Sequence, residues 1–433
     1  MPLNIPDPGY KRIVILGGGF GGLTLAQKLA NTTYQVILLD KNNYHQFQPL
    51  FYQVAMAGLE PSSIVFPFRK VFQNAPNVLF RVAEFQEVFP EDKYIMTDKG
   101  RLKYDYLVIA LGADTNYYGN EKVMNNAMPM KSVSEALSLR NAILEDYERA
   151  LLTNDEAERQ ALLDIVIVGG GATGVEVAGA LAEMRQEVIP KEYKELNYKD
   201  MDIHLIHGAE ILLKGMSEHA GKAAERYLRD LNIKIKLDVN VTDYDGETVT
   251  MTDGTTLRSR KVIWAAGIIG NVVNGLPKEA TVRGRRLKVN RLNQLEGSKD
   301  IYAVGDIAYM EETEHEKFKG GHPQVAQVAI QMAKNIAKNF KAIERMKPTT
   351  DFSYSDLGSM ATIGRHKAVV DLPFWRFQGV FAWFIWLFIH LFAIIGLKNK
   401  IFIFINWVWS YITYDQALRL IIRPKEKRIM DNG

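Results

Sequence analysis

The sequence predicts an α/β chain with two parallel βαβ units, followed by a C-terminal pair of apolar, amphipathic helices. Three observations predict it. A β-branched run from Arg12 leads into Gly17-x-Gly19-x-x-Gly22 and a helical apolar pattern. The same arrangement returns roughly 150 residues later as Gly169-x-Gly171-x-x-Gly174. The stretch Gly379–Leu397 is apolar at every position except His390.

In the first unit Ile13, Val14 and Ile15 form a buried strand, and Leu23, Leu25, Ala26 and Leu29 repeat at helical spacing. A second strand, YQVILLD, ends at Asp40. Strand, glycine turn, helix, strand and acid in this order mark a dinucleotide site. Gly17 permits the tight turn, Gly19 lets backbone approach a pyrophosphate, and Gly22 lets helix pack on sheet. The helix start offers N–H groups and a positive dipole end to phosphate, and Asp40 is placed to accept from a ribose. In the second unit the strand Ile165–Val168 precedes the glycines, and DIHLIH ends at His207, where an acid is usual. Two dinucleotides in one chain imply electron transfer between a flavin and a nicotinamide. The segments Tyr104–Asn116, Lys261–Gly270 and Asp300–Ala308 each read as an apolar strand ending in a small-residue turn.

These paired motifs, with YAVGDIA, resemble the two-dinucleotide-binding-domain flavoproteins over about residues 10–345. The resemblance implies FAD in the first unit and NAD(P)H in the second, on two Rossmann-like domains of glutathione-reductase type. It places residues 1–120 and 295–345 in an FAD-binding domain, 121–294 in an NAD(P)H-binding domain, and 346–433 in a membrane-attachment region. It implies cofactor contacts for Gly17, Gly19, Phe20, Gly21, Gly22, Asp40, Lys41, Pro49, Val82, Gly112, Asp306 and Ala326. In the second unit it implies them for Gly169, Gly171, Gly174, His207, Ala266 and Gly267.

Composition narrows the family. Zero cysteines exclude thiol reductases, thiolate metal sites and iron–sulfur clusters, and argue against a sulfide-oxidising relative. A net charge of +3 is too small to argue for nucleic acid. What remains resembles the type II NADH dehydrogenases, in which YHQFQPLFYQVAMAGLEPSSIVFPFR (Tyr44–Arg69) wraps the flavin near Pro49. Gln327 and Gln331 lie four apart, on one face of a helix that begins near Pro323. Read alone, such a pair suits a solvated face. Behind Ala326 and after VGDIA it resembles the family's quinone pattern, where a carboxamide donates to a carbonyl without adding charge. Glu176, two residues past Gly174, either complements the helix dipole or, by resemblance, sits beside nicotinamide and flavin and takes part in proton transfer. Glu183 reads as an ordinary solvated helix residue. His207 in place of an acid weakens NADH preference and opens NADPH use, with Glu210 a partial substitute.

The tail decides location. On a helical wheel over 378–397, Gln378, Gly379, Ala382, Trp386, Ile389, His390, Ala393, Gly396 and Leu397 share a narrow small-and-polar stripe. The wide remainder is bulky and apolar. LKNK reads as a polar turn, and Asn406, Ser410, Thr413 and Ala417 form a second stripe. Twelve residues from Ile401 to Ile412 would cover only about 18 Å, too short to recross about 30 Å of hydrocarbon. That rules against a two-span hairpin and leaves a single span, helices in the membrane plane or an oligomer core. The resemblance to type II NADH dehydrogenases, which attach through C-terminal amphipathic helices without crossing, favours the membrane plane. The basic residues around them suit anionic headgroups.

The expected protein is a non-pumping, membrane-attached NADH:quinone oxidoreductase, a homodimer through its C-terminal region by resemblance. The N-terminus lacks a basic-then-apolar secretion pattern, which suggests the cytoplasmic face of the inner membrane. The competing readings are a soluble-type NAD(P)H oxidase and an NADH-sensing flavoprotein without turnover. No metal is expected, and the mixed acidic and histidine segment Met310–His322 reads as a charged loop.

Overall fold

The computed structural model describes residues 2–311, 320–413 and 419–422, so most of Met310–His322 and Ala417 lie outside the described residues. The chain folds into two compact units. The first comprises residues 1–46, 65–114 and 268–357, and the second 47–64, 115–267 and 358–433.

The core of the first unit is a five-stranded parallel sheet in the order Ile301–Ala303, Tyr106–Ile109, Arg12–Leu16, Gln35–Asp40, Val78–Val82. Its strands are continuous Val, Ile and Leu runs because both faces are covered. The glycine helix Phe20–Lys28 packs along the long helix Ala326–Glu344. An aromatic cluster of Tyr34, Tyr106, Tyr302 and Phe340 closes the core, and the Tyr34 hydroxyl donates to the Phe340 carbonyl at 3.0 Å.

The second unit repeats the plan. Its parallel sheet runs Met128–Pro129, Lys261–Trp264, Ile165–Val168, Ile203–His207, Lys234–Leu237. In each unit the strand leading into the glycine motif is central, as a doubly wound sheet requires. The second glycine helix, Ala172–Glu187, buries Val175, Val177, Ala178, Leu181 and Ala182.

The tail begins with a three-stranded antiparallel sheet, Ser359–Thr362, Ala368–Asp371 and Arg376–Gln378. Its first turn lies directly on the second glycine helix. A Cβ on Gly179 would come within 2.4 Å of the Gly364 nitrogen, so only glycine allows that approach. At the other side Asp371 accepts from both the backbone N–H and the hydroxyl of Ser217, at 2.5 and 2.9 Å.

Two helices follow, Val380–Ala393 and Leu397–Thr413. The first ends four residues earlier than the apolar run suggests. Gly396 takes φ +87 and redirects the chain. LKNK is not a turn between helices but the first turn of the second one. Lys400 reaches back to donate to the Phe392 carbonyl at 2.8 Å, satisfying a helix-end acceptor.

The docked stripe is also rotated from the wheel. Ala382 and Trp386 are buried, Trp383, Leu387 and His390 half-buried, while Ile389, Ala393 and Leu397 are exposed. The rotation follows the large flat rings. Trp386 stacks on His390 at 3.9 Å and meets Tyr52 edge-on, which turns the helix toward the Trp383–Leu387 edge. His390 does lie on the protein side, bonded through Nδ1 to the Trp386 carbonyl at 2.8 Å. Burial pushes its pKa down to about 4, so it is neutral.

At 14 and 17 residues these helices measure about 21 and 25 Å. Among the described residues no helix is long and apolar enough to cross a membrane.

Candidate functional site

Three distant motifs meet in the first unit. At Gly21 an added Cβ would meet the Val304 side chain at 3.2 Å, and at Gly305 one would meet Ala329 at 3.1 Å. The glycine loop, the Gly305–Ile307 turn bearing Asp306, and the start of the Ala326–Glu344 helix therefore share one location. The loop fits a pyrophosphate. Gly19 has open space where a side chain would stand, and no side chain caps the helix that follows. A Cβ at Gly22 would lie 1.9 Å from the Gly17 carbonyl oxygen. Asp40 accepts from the Gly18 N–H at 2.7 Å and the Asn42 N–H at 2.7 Å, which holds its carboxylate beside the loop. Burial raises its pKa, opposed by those bonds and by Lys41. Beneath the loop His45 Nδ1 donates to the Gly18 carbonyl at 3.0 Å. Lys41, just past the strand Gln35–Asp40, and Val82, at the end of the edge strand, are exposed.

The second unit reproduces the glycine positions of this cradle. Gly171 faces open space, and a Cβ at Gly174 would lie 1.8 Å from the Gly169 oxygen. Ala266 and Gly267 border the loop, where the Tyr118 hydroxyl donates to the Ala266 carbonyl at 2.7 Å. His207 takes the position of Asp40 and makes the corresponding bond to the loop. Its Nδ1 accepts from the Gly170 N–H at 3.1 Å, as Asp40 accepts from Gly18. Burial depresses its pKa, aided by Lys214 and opposed by a bond to the Ile211 backbone, so the ring is neutral. A neutral imidazole accepts one N–H but cannot repel a phosphate.

The quinone candidates divide. Gln331 is engaged at both ends with Ser355, accepting its N–H at 2.9 Å and donating to its carbonyl at 2.8 Å. The carboxamide thereby anchors the chain after the helix. Gln327, one turn earlier, accepts from the Leu357 N–H at 3.1 Å, which orients its amide. Pro49 lies in the 3₁₀ turn Gln48–Leu50 of the second unit.

Glu176 is enclosed beside the Thr362–Arg365 turn. Its carboxyl accepts from the Thr362 N–H, and burial raises its pKa to about 8. It is protonated at neutral pH. Glu183 is not solvated, contrary to the sequence reading. Two turns along the same face, its Oε1 is buried and its carboxyl accepts from the Arg365 N–H. Burial raises this pKa to about 7. Helical spacing of seven puts both acids on the face that meets the Thr362–Arg365 turn, a relation visible in the sequence once that turn is known.

A relay missed entirely by sequence reading runs from the tail to Glu176. Trp407 Nε1 donates to Gln53 Oε1 at 2.8 Å, and Gln53 Nε2 donates to the Tyr52 hydroxyl at 2.9 Å. That hydroxyl bonds Thr362 Oγ1 at 3.1 Å, and the Thr362 backbone holds Glu176. Burial and the nearby Glu176 raise the Tyr52 pKa, so the phenol stays protonated.

Among the described residues one group could approach a cation, Asp164, Asp202 and His204. Its groups are already engaged: Asp164 accepts from Gln160 and the Asp202 N–H, and Asp202 pairs with Lys234.

A profile of the pyridine nucleotide-disulphide oxidoreductases matches residues 11–333. With no cysteine in the chain, that match speaks for the fold and not for a disulphide. A second profile, the NDH2 C-terminal domain, matches residues 357–413. The type II NADH:quinone oxidoreductase Ndh of Mycobacterium tuberculosis is 33% identical over 421 residues, covering 94% of this chain and 89% of that protein. The chain belongs to the type II NADH:quinone oxidoreductases. A Staphylococcus aureus protein of the same description is 27% identical over 83% of the chain and 89% of its own length. NDH2 of Plasmodium falciparum, solved with RYL-552, superposes with a TM-score of 0.86 at 24% identity, covering 96% of this chain and all of that one. The sulfide:quinone oxidoreductase of Aquifex aeolicus follows at 0.71 and 20% identity, over 93% and 95% of the two chains. Family membership accounts for the paired cradles and extends to the tail, since the second profile ends where the second helix does.

Proposed function

We propose that this flavoenzyme oxidises NADH and reduces a membrane quinone without moving protons across the bilayer. The observation that carries the reading is the 33% identity to a type II NADH:quinone oxidoreductase over nearly the whole chain, tail included. Bound FAD would take hydride from NADH and return two electrons to quinone. The chain's own residues bind, orient and move protons. The loop Gly17–Gly22 with Asp40, Lys41, Pro49, Val82, Gly112, Asp306 and Ala326 holds FAD. The loop Gly169–Gly174 with His207, Ala266 and Gly267, within a domain of residues 121–294, holds NADH. Gln327 donates to a quinone carbonyl, and Glu176 supplies a proton. The exposed faces of the two tail helices lie in the membrane plane, on the cytoplasmic side, and the same region joins two copies into a dimer.

Steady-state assays with a lipid-soluble quinone and with oxygen as sole acceptors test this reading. Quinone reduction should exceed oxygen consumption at least tenfold; equal rates would point to an oxidase, and turnover below a few per minute with every quinone to a sensor.

His207 should make the enzyme permissive toward NADPH. In His207→Asp the carboxylate would replace the Nδ1 acceptor for Gly170 and add a charge that repels a 2′-phosphate. The NADH over NADPH ratio of kcat/KM should rise about tenfold, equal to ~1.4 kcal/mol. An unchanged ratio would place specificity elsewhere.

A further inference from the structure

A cavity of about 140 Å³ lies in the second unit between the second glycine helix, the short helix Phe51–Ala55, the Thr362–Arg365 turn and the tail helices. A water needs only about 10–15 Å³ of such space and two to four polar partners. The walls offer Tyr52, Gln53, Glu183, Glu187 and Ser410. Glu183 is the acid that the cavity and the packing isolate. Its Oε1 has no hydrogen-bond partner although it is buried, a costly arrangement unless something mobile serves it. Gly364 leaves room for it: a Cβ there would stand 3.3 Å from Oε1.

Glu176, Glu183 and Glu187 lie along one face of the second glycine helix. Glu187, with its side chain 42% exposed, stands at the outer end and pairs with Lys191 at 3.6 Å. Glu183 follows one turn inward. Tyr52, close enough that both Glu176 and Glu183 bear on its hydroxyl, comes next, and then Thr362 and Glu176. Arg365, the nearest cation, is drawn off toward the Ser410 carbonyl, and the cavity-lining residues of the tail helices carry no ionisable group. The ionisable groups that bear on Glu183 are thus Arg365 and Glu187, with Tyr52 sharing the cavity wall.

We propose that Glu183 is the proton relay between solvent and Glu176, working through water in this cavity. The inference rests on the reading of Glu176 as proton donor in quinone reduction. In the net reaction NADH, one proton and quinone become NAD⁺ and quinol, so one proton per turnover must come from solution. Glu176 gives its proton toward the quinone oxygen and is left as carboxylate. Glu183 gives its own through cavity water and the Tyr52 hydroxyl, on which Glu176 also bears, and is refilled past Glu187. No redox partner beyond NADH and quinone is required. A pKa near 7 lets Glu183 both hold and release a proton at neutral pH.

The test compares wild-type holoenzyme with Glu183→Gln and Glu183→Asp. Wild type must first reduce quinone with an alkaline limb that Glu176→Gln removes; failure there sinks the donor reading and not the relay. Glu183→Gln should then lower quinone-reducing kcat about tenfold, less than the roughly 10²–10⁴-fold of a group that transfers the proton directly to the reacting atom, with KM for quinone and flavin bleaching by NADH unchanged. Imidazole or formate, small enough for the cavity, should restore kcat in a saturable way. Glu183→Asp should retain an intermediate rate. The infrared carbonyl band of a carboxyl titrating near neutral pH should vanish in Glu183→Gln, a readout independent of turnover. Wild-type kcat in Glu183→Gln, or a loss that no small acid rescues and that leaves the infrared band in place, overturns the proposal. If Glu183→Gln does not fold, the same rescue and band titration in Glu183→Asp decide.

Discussion

Replacing Phe384, Phe388 and Phe392 together by Ser should abolish attachment to lipid vesicles while leaving a folded enzyme. All three stand on the outward face of the first tail helix, each at least half exposed, and none belongs to the docked stripe of Ala382 and Trp386. Burying a Phe side chain fully is worth about 1.5–3 kcal/mol. The three exposed halves therefore contribute about 3–4 kcal/mol of partitioning. At ~1.4 kcal/mol per factor of ten, vesicle affinity should fall two to three orders of magnitude. Flotation with liposomes reads the loss directly. Flavin content, and bleaching by NADH, should stay within twofold of wild type. Continued flotation would mean that another surface holds the membrane. Loss of a lipid-independent dimer, with flotation intact, would assign this face to a partner subunit instead.

The same helix shows what a sequence does and does not reveal. Both glycine cradles were legible because each needs several residue types at set spacing inside one βαβ unit. The cradle at His207 was legible even where it departs from the usual acid, since the strand that delivers the residue is itself local. The stripe of the tail helix was legible in kind but not in phase: a wheel weighs side chains by size, whereas Trp386 and His390 turned the helix by stacking. Glu183 was misread because nothing within its own helix marks burial there. Its cover comes from Thr362–Arg365, far along the chain, brought close by the bare backbones of Gly179 and Gly364. The relay through Gln53 and Trp407 was invisible for the same reason, as its members are about 350 residues apart. Gln331 fits the family's pattern by spacing, yet its amide is committed to Ser355, a partner no spacing rule names.

Glu176→Gln should lower quinone-reducing turnover about a hundredfold, within the span that a positioned proton donor supplies. The amide keeps an oxygen for the Thr362 N–H and nearly the same volume, so packing and quinone KM should change little. Bleaching of the flavin by NADH needs no proton from this group and should survive. In wild type, turnover should fall along an alkaline limb near pH 8, where the carboxyl gives up its proton, and the limb should be missing in the variant. Stability supplies an independent check with a definite sign. The folded pKa is raised from the ordinary 4.5 to about 8, so the native state binds the proton more tightly than the unfolded chain. Stability attributable to this group is therefore full below about pH 4.5 and falls as pH rises through 8. Between about pH 5 and pH 9 the Tm of wild type should drop more steeply than that of Glu176→Gln. Parallel Tm curves with an unchanged alkaline limb would mean that Glu176 is not the group that holds the proton, and the proton source would have to be sought among the other acids of that helix face.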